Sequence, residues 1–107
     1  MVFKGFGSQL KTIDDILSTH SDSLSPGEEA ELAVIYVNDK AGNPYHIGFC
    51  QGNEFSDHQL EKDNHYYLAQ SKLYECSIGP EIYIGKIPDE INGKVNINRN
   101  ENLISRK

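Results

Sequence analysis

Apolar residues gather in one place along this chain, the run Leu32-Ala-Val-Ile-Tyr-Val37, and the pattern around it predicts a hairpin. The near-continuous run suits a strand covered on both faces, since a strand with one solvated side alternates apolar and polar positions. Asp39-Lys-Ala-Gly-Asn43 is a polar connection with turn residues, and Pro44-Tyr-His-Ile-Gly-Phe-Cys-Gln51 supplies a second β-prone run. The remaining elements are read outward from that hairpin.

Toward the N-terminus, Phe3 and Phe6 beside Gly5 and Gly7 fit a short edge strand or an arm lying on the core. Thr12 and Asp15 resemble a capping pair, and Ile13, Ile16 and Leu17 recur at the spacing of one helical face, so a helix is expected over about 12–19. Ser25-Pro-Gly-Glu28 reads as a cap followed by a single helical turn. Beyond Gln51 the chain turns polar, with either a loop or a helical turn capped by Ser56. His65–Ala69 and Leu73–Ile78 look β-prone, and a helix through 57–71 keeps its period only in part. Gly79-Pro80 marks a turn, Glu81–Ile87 a strand, and Asn92-Gly93 the turn of a second hairpin leading into Lys94–Asn98. The fold class expected is α+β, a short N-terminal helix packed on a twisted, mostly antiparallel sheet of about five strands, with residues 1–98 as one domain and 99–107 as a flexible tail.

Composition narrows this picture. The chain has 107 residues, 37% of them hydrophobic, with no Trp, enough for one modest core. No run approaches the roughly 18 apolar residues of a membrane span, and the first residues lack a signal-like apolar region, so a cytoplasmic location is expected. In that reducing setting Cys50 and Cys76 are expected to be free. The net charge of -6 is unevenly placed: Thr12–Asp39 carries Asp14, Asp15, Asp22, Glu28, Glu29, Glu31 and Asp39 without a Lys or Arg. Arg appears only at positions 99 and 106, so nucleic-acid binding through a basic face is not expected.

Candidate chemistry is sparse. His46 and Cys50 are about 13 Å apart along a strand, too far for proton transfer, which leaves a thiolate–imidazole pair of Cys50 with His58 or His65 as the catalytic alternative. The histidines and cysteines show no close paired spacing for a metal, and no cofactor or metal is expected. Asp14 and Asp15 suit the first turn of a helix and Glu28 a capping box, whereas Asp22, Glu29, Glu31 and Asp39 have no such local reason. These four, with Tyr36, Tyr66 and Tyr67, form the expected protein-binding surface, since tyrosine is enriched at interfaces. In size and charge layout the chain resembles toxin-immunity proteins and phage-encoded inhibitors. That resemblance implies a non-enzymatic inhibitor or antidote that occludes a basic partner such as a nuclease, steered to it by charge. The alternative is a small cysteine-dependent enzyme or toxin domain. Thiol titration addresses the alternative directly: both cysteines should react slowly in native protein and faster on unfolding, whereas rapid stoichiometric reaction at Cys50 at neutral pH would mark an activated thiolate.

Overall fold

The computed structural model describes residues 4–72 and 74–106. Phe3, Leu73 and Lys107, which belong to the expected N-terminal arm, a strand start and the tail, lie outside the described residues. In chain order the elements are a 3-10 turn Gly7–Gln9, β1 Leu10–Lys11, β2 Pro26–Gly27, β3 Ala30–Asn38, β4 Pro44–Asn53, β5 Ser56–Asp57, α1 His58–Asp63, a 3-10 turn His65–Tyr67, α2 Leu68–Ser71, β6 Cys76–Ile78, β7 Tyr83–Ile84, β8 Asn96–Arg99 and β9 Asn102–Arg106.

The β3–β4 hairpin forms the centre. Its strands pair antiparallel from Ala30↔Asn53 to Asn38↔Pro44, with a bulge between Ile35 and Tyr36. Asp39 closes the turn: its carboxylate accepts from the backbone N–H groups of Ala41 and Asn43 at 2.8 and 2.9 Å and from the Asn43 amide at 3.0 Å. On the other edge of β4 sit β6, at Gly52↔Ile78, and β7, at Gly48↔Ile84, and β1 adds in parallel beyond β6. β3 is therefore an edge strand, with no strand beyond it among the described residues. Two small two-stranded ladders, β2 with β5 and β8 with β9, complete the sheet structure.

Mostly sheet with almost no helix, this architecture corrects the expectation of a helix packed on a sheet. The capping pair at the predicted helix does form, Thr12 N–H donating to Asp15 at 2.8 Å, but it closes only a turn. Asp14 adopts φ 65°, a left-handed conformation that a growing helix excludes, and the Ser18 N–H donates to Glu75 at 2.8 Å rather than to a preceding turn. Ile13 and Ile16 consequently stay exposed. The predicted turn at Ser25–Glu28 is instead β2, paired with Ser56–Asp57.

Helical structure appears where strands were expected. Asp57, not Ser56, caps α1, accepting from the N–H groups of Gln59 and Leu60, and the Asn64 side chain caps the turn at His65–Tyr67. These local caps capture His65–Ala69 before it can extend. Near the C-terminus the hairpin turn falls at Asn100-Glu101, both at positive φ (51° and 65°), the geometry of a tight primed turn, and not at Asn92-Gly93. Residues 99 to 106 thus lie in a hairpin, in a stretch whose sequence shows no strand period. Expected cover on both faces of Leu32–Val37 is also absent: Leu32, Val34, Tyr36 and Val37 are exposed.

The best-buried region lies where β4 runs into β5 and α1. Cys50 and Tyr74 are the buried apolar residues there, with Ser56, Asp57 and Ser71 almost wholly sealed from solvent. One close backbone approach fixes β7 on the sheet. A Cβ placed on Gly48 would stand 2.2 Å from the Tyr83 carbonyl oxygen, and the neighbouring Phe49 and Tyr83 rings stack at 5.5 Å. Gly48→Ala should therefore push β7 off β4 and lower stability by about 1–3 kcal/mol, the range for overpacked sites. Gly93→Ala, where the added methyl meets open space, should stay within about 0.5 kcal/mol. Equal urea midpoints for the two variants would refute this account of the sheet.

Candidate functional site: an acidic cluster at the base of the hairpin

Strand alternation places Glu29 and Glu31 on one side of the chain, because residues two apart on extended backbone share a face. The register does the rest: Ala30 opposes Asn53 and Glu31 opposes Gly52, so Glu54 follows directly across from Glu29. The Glu54 N–H donates to the Glu29 carbonyl at 2.9 Å. The Asn53 side-chain oxygen clamps the same junction, accepting from the N–H groups of Glu29 at 3.0 Å and Phe55 at 3.2 Å. Carboxylate oxygens of Glu29, Glu31 and Glu54 converge to within 4.8 Å of one another.

Two basic side chains meet the cluster from the helical segment. Lys72, directly after α2, donates to Glu29 at 2.6 Å and to Glu54 at 2.8 Å, and His58 Nδ1 stands 3.4 Å from Glu29. Room for the His58 ring depends on Gly27, where a Cβ would lie 2.8 Å from both Cδ2 and Nε2. Lys4 also reaches this region, donating to the Phe55 carbonyl.

Proton affinities within the cluster diverge. Burial raises that of Glu29, but hydrogen bonds with Glu54 and Lys72 outweigh it and hold Glu29 below the usual carboxylate range. Burial and the facing Glu29 push Glu54 above that range despite Lys72. Burial works against the Lys72 ammonium, yet its two carboxylate partners raise it above an ordinary lysine. At Lys4 burial dominates and lowers the pKa. Glu54 thus takes up a proton before Glu29 does.

Asp57 organises the surroundings. It is 1% exposed and accepts five hydrogen bonds: from the N–H groups of Leu24 (2.7 Å), Ser25, Gln59 and Leu60 (each 3.1 Å), and from the Tyr74 hydroxyl at 3.4 Å. Burial disfavours its charge, but the four amide donors hold its pKa below the ordinary aspartate value. The carboxylate ties the 24–25 segment to the start of α1 and so sets where His58 emerges.

A cleft of about 1060 Å³ is lined by Glu29, Glu31, His58, Lys62 and the segment 91–95. A smaller hollow of about 280 Å³ near Pro80 presents no titratable side chain. Chemistry therefore concentrates in the larger one.

Of the acids singled out in the sequence, Glu28, Glu29 and Glu31 line this cleft, and Glu29 and Glu31 enter the carboxylate cluster. Asp39 is held in the turn at the opposite end of β3, roughly 30 Å away at strand rise, and Asp22 is exposed between β1 and β2. Tyr36 lies against His46 at 5.5 Å, Tyr66 stacks on His65 at 4.6 Å, and Tyr67 is exposed. Cys50 is free but fully buried, and His58 and His65 are engaged elsewhere, with Glu29 and Tyr66. Glu54 and Lys72 were missed. The signal for Glu54 was the Glu29-x-Glu31 spacing on a strand whose hairpin partner returns an acid at the mirrored position; Lys72 carries no comparable local signal.

Comparison with known proteins points to sugar-acid dehydratases. No family model matches the chain. Its sequence is 31% identical over 80 residues to a probable 2-keto-3-deoxyxylonate dehydratase of Haloferax volcanii, a match that covers 73% of this chain and 26% of that protein. Its fold is similar to 2-keto-3-deoxyarabinonate dehydratase in a hexagonal crystal form, with TM-score 0.76 and 29% identity, over 98% of this chain and 36% of the other. It is also similar to 2-keto-3-deoxy-D-arabinonate dehydratase complexed with magnesium and 2,5-dioxopentanoate, with TM-score 0.71 and 29% identity, over 92% and 36% of the two chains. The chain spans about a third or less of the length of these proteins.

These likenesses overturn the expected inhibitor or antidote of a basic protein partner, and with it the non-enzymatic class. The proteins it resembles are enzymes, named for small sugar acids. The acidic excess that suggested docking is spent in part on a convergent carboxylate site. Among the described residues, no helix is long and apolar enough to cross a membrane.

The role given to Asp57 has a pH signature. Its pKa is depressed in the folded state, so its contribution is present above the unfolded aspartate value and is lost as pH falls through the folded one. Asp57→Asn, which turns an amide donor toward backbone donors, should destabilise by roughly 1–3 kcal/mol at neutral pH and flatten part of the acid limb of stability. Unchanged urea midpoints between pH 3 and 7 would remove Asp57 from this role.

Proposed function

We propose that this chain supplies the metal-binding part of a dehydratase acting on 2-keto-3-deoxy sugar acids, with Glu29, Glu31 and Glu54 as ligands of a magnesium ion. One observation carries the reading: three carboxylates converge within 4.8 Å in a fold that matches a dehydratase complexed with magnesium and 2,5-dioxopentanoate. The donor set fits the ion, since hard divalent cations take oxygen ligands at about 2.0–2.6 Å, which sets opposite ligand atoms roughly 4 to 5 Å apart. Bound there, magnesium would polarise the keto-acid end of a substrate and make the proton beside the keto group easier to remove.

The chain's own groups complete the arrangement. Lys72 balances the charge of Glu29 and Glu54 and keeps two like charges close enough to share an ion. His58, oriented by Glu29 through Nδ1 and seated against Gly27, is the imidazole placed to accept or return a proton. Loss of water from a 2-keto-3-deoxy acid needs that removal next to the keto group and a protonated leaving hydroxyl. Cys50, sealed under the sheet, has no part in this chemistry. A cytoplasmic setting with both thiols reduced accords with the reading.

Calorimetric titration with magnesium chloride tests it. Glu31→Gln and Glu54→Gln should each weaken binding at least about tenfold, whereas Asp22→Asn should leave it unchanged. Because the pKa of Glu54 is raised, affinity should climb with pH from the ordinary carboxylate range upward. Absence of heat at millimolar magnesium, or equal affinity in all three variants, would overturn the assignment.

A further inference from the structure

The cleft beside the acid cluster carries basic charge that the proposed metal chemistry leaves unused. Lys62 follows His58 by four residues on α1, so both side chains leave one face of that helix, about 6 Å apart along its axis. Lys94 reaches the same cleft from the segment 91–95 that leads into β8. Both lysines are exposed, and neither has an acid at the spacing its local structure would pair. On α1 the residues three and four before Lys62 are Gln59 and His58, and the Gln59 amide is taken by Asp63 at 2.6 Å. Lys94 has Asn92 and Asn96 two residues to either side. Neither lysine makes an ion pair with a described residue, whereas Lys11 holds Glu75 and Lys72 holds Glu29 and Glu54.

The cluster's own acids do not call for them. Its three carboxylates are matched by the Lys72 ammonium together with one divalent ion, so the charge at that end closes without Lys62 or Lys94. Glu28, the other acid at the cleft among the described residues, is one charge against their two. Space is also in excess. At about 1060 Å³ the cleft matches the upper end of small-ligand sites, roughly 1000 Å³, and a keto acid held on the ion would occupy the acidic end alone.

We propose that Lys62 and Lys94 form a subsite for a second anionic group, so that the cleft takes a keto acid bearing a carboxylate or a phosphate at the end remote from its keto group. An ammonium is a compact point charge that accepts either group. The position of the keto-acid end rests on the metal reading above; the anion subsite rests on the two lysines. With the reacting carbon beside His58, the remote end of a short sugar-acid chain lies one helical turn along the cleft, at Lys62.

Titration of the 107-residue chain tests the proposal in two stages. Without metal, sodium phosphate should shift the backbone amide resonances of Lys62 and of residues 93–95 saturably, while those of Ala41 and Asn43 in the Asp39 turn stay still. Lys62→Gln combined with Lys94→Gln should abolish the shift, and Lys62→Arg combined with Lys94→Arg should keep it, with unfolding midpoints unchanged in both. In saturating magnesium, calorimetry then compares probes that differ at the remote end: 2-oxoglutarate against 2-oxopentanoate for a carboxylate, and 2-keto-3-deoxy-6-phosphogluconate against 2-keto-3-deoxygluconate for a phosphate. In at least one pair the remote anion should tighten binding about five- to tenfold, the scale of two exposed ion pairs. That advantage should shrink in about 0.5 M salt and vanish in the double glutamine variant. The pair that shows it identifies the group. No saturable phosphate shift, or magnesium bound with no advantage in either pair, or an advantage that the double glutamine variant retains, would overturn the subsite and leave the metal reading standing. A saturable phosphate shift that depends on the two lysines, in a chain that binds no magnesium, would support the subsite and overturn the metal reading.

Discussion

A buried carboxylate held by backbone amides keeps the working end of this molecule together. Asp57 gathers N–H groups from two segments more than thirty residues apart in sequence, Leu24 and Ser25 on one side and Gln59 and Leu60 on the other. Withdrawing a carboxylate from water is expensive, and it persists here because each lone-pair direction meets a donor. The consequence reaches beyond the cap it makes. By fixing the start of α1 beside β2, Asp57 aims His58 at Glu29, and the short helical path that follows returns Lys72 to the same acids.

The acid cluster is the opposite arrangement, with charge accumulated and only partly neutralised. Glu29 and Glu54 share the ammonium of Lys72, His58 stands beside Glu29, and the crowding shows in the divergent proton affinities of Glu29 and Glu54. The proposed magnesium ion would relieve the repulsion more fully than one lysine can. Positive φ at Phe55, immediately after Glu54, belongs to the same picture, since backbone held in a sparsely populated region gathers at sites where geometry serves chemistry.

Between these two features runs a hairpin whose register is the link. Pairing of Glu31 with Gly52 is what puts an acid from each strand on one side, and a slip of one residue would send Glu31 to the opposite face. The clamp by Asn53 at one end and the Asp39 turn at the other fix that register from both sides.

Some of this was readable in the chain. The apolar run flanked by turn residues specified the β3–β4 hairpin, because β-prone runs and turn chemistry are local signals, whereas the cover on both faces that the same run implied is absent among the described residues. Thr12 and Asp15 likewise made the local contact their spacing promised. What they did not determine was its extension, since a turn becomes a helix only when later residues find a surface to pack on, and Ser18 instead met Glu75 from far along the chain. Asp57, Glu54 and Lys72 were silent in the sequence for a related reason. Their importance comes from which distant groups the fold delivers to them, and a carboxylate surrounded by four amides looks, residue by residue, like any aspartate in a polar loop. Net charge was legible, but its purpose was not: the excess of acids in the first third divides into turn closures, local caps and one convergent cluster, a partition that only the register of two strands and the return of Lys72 decided.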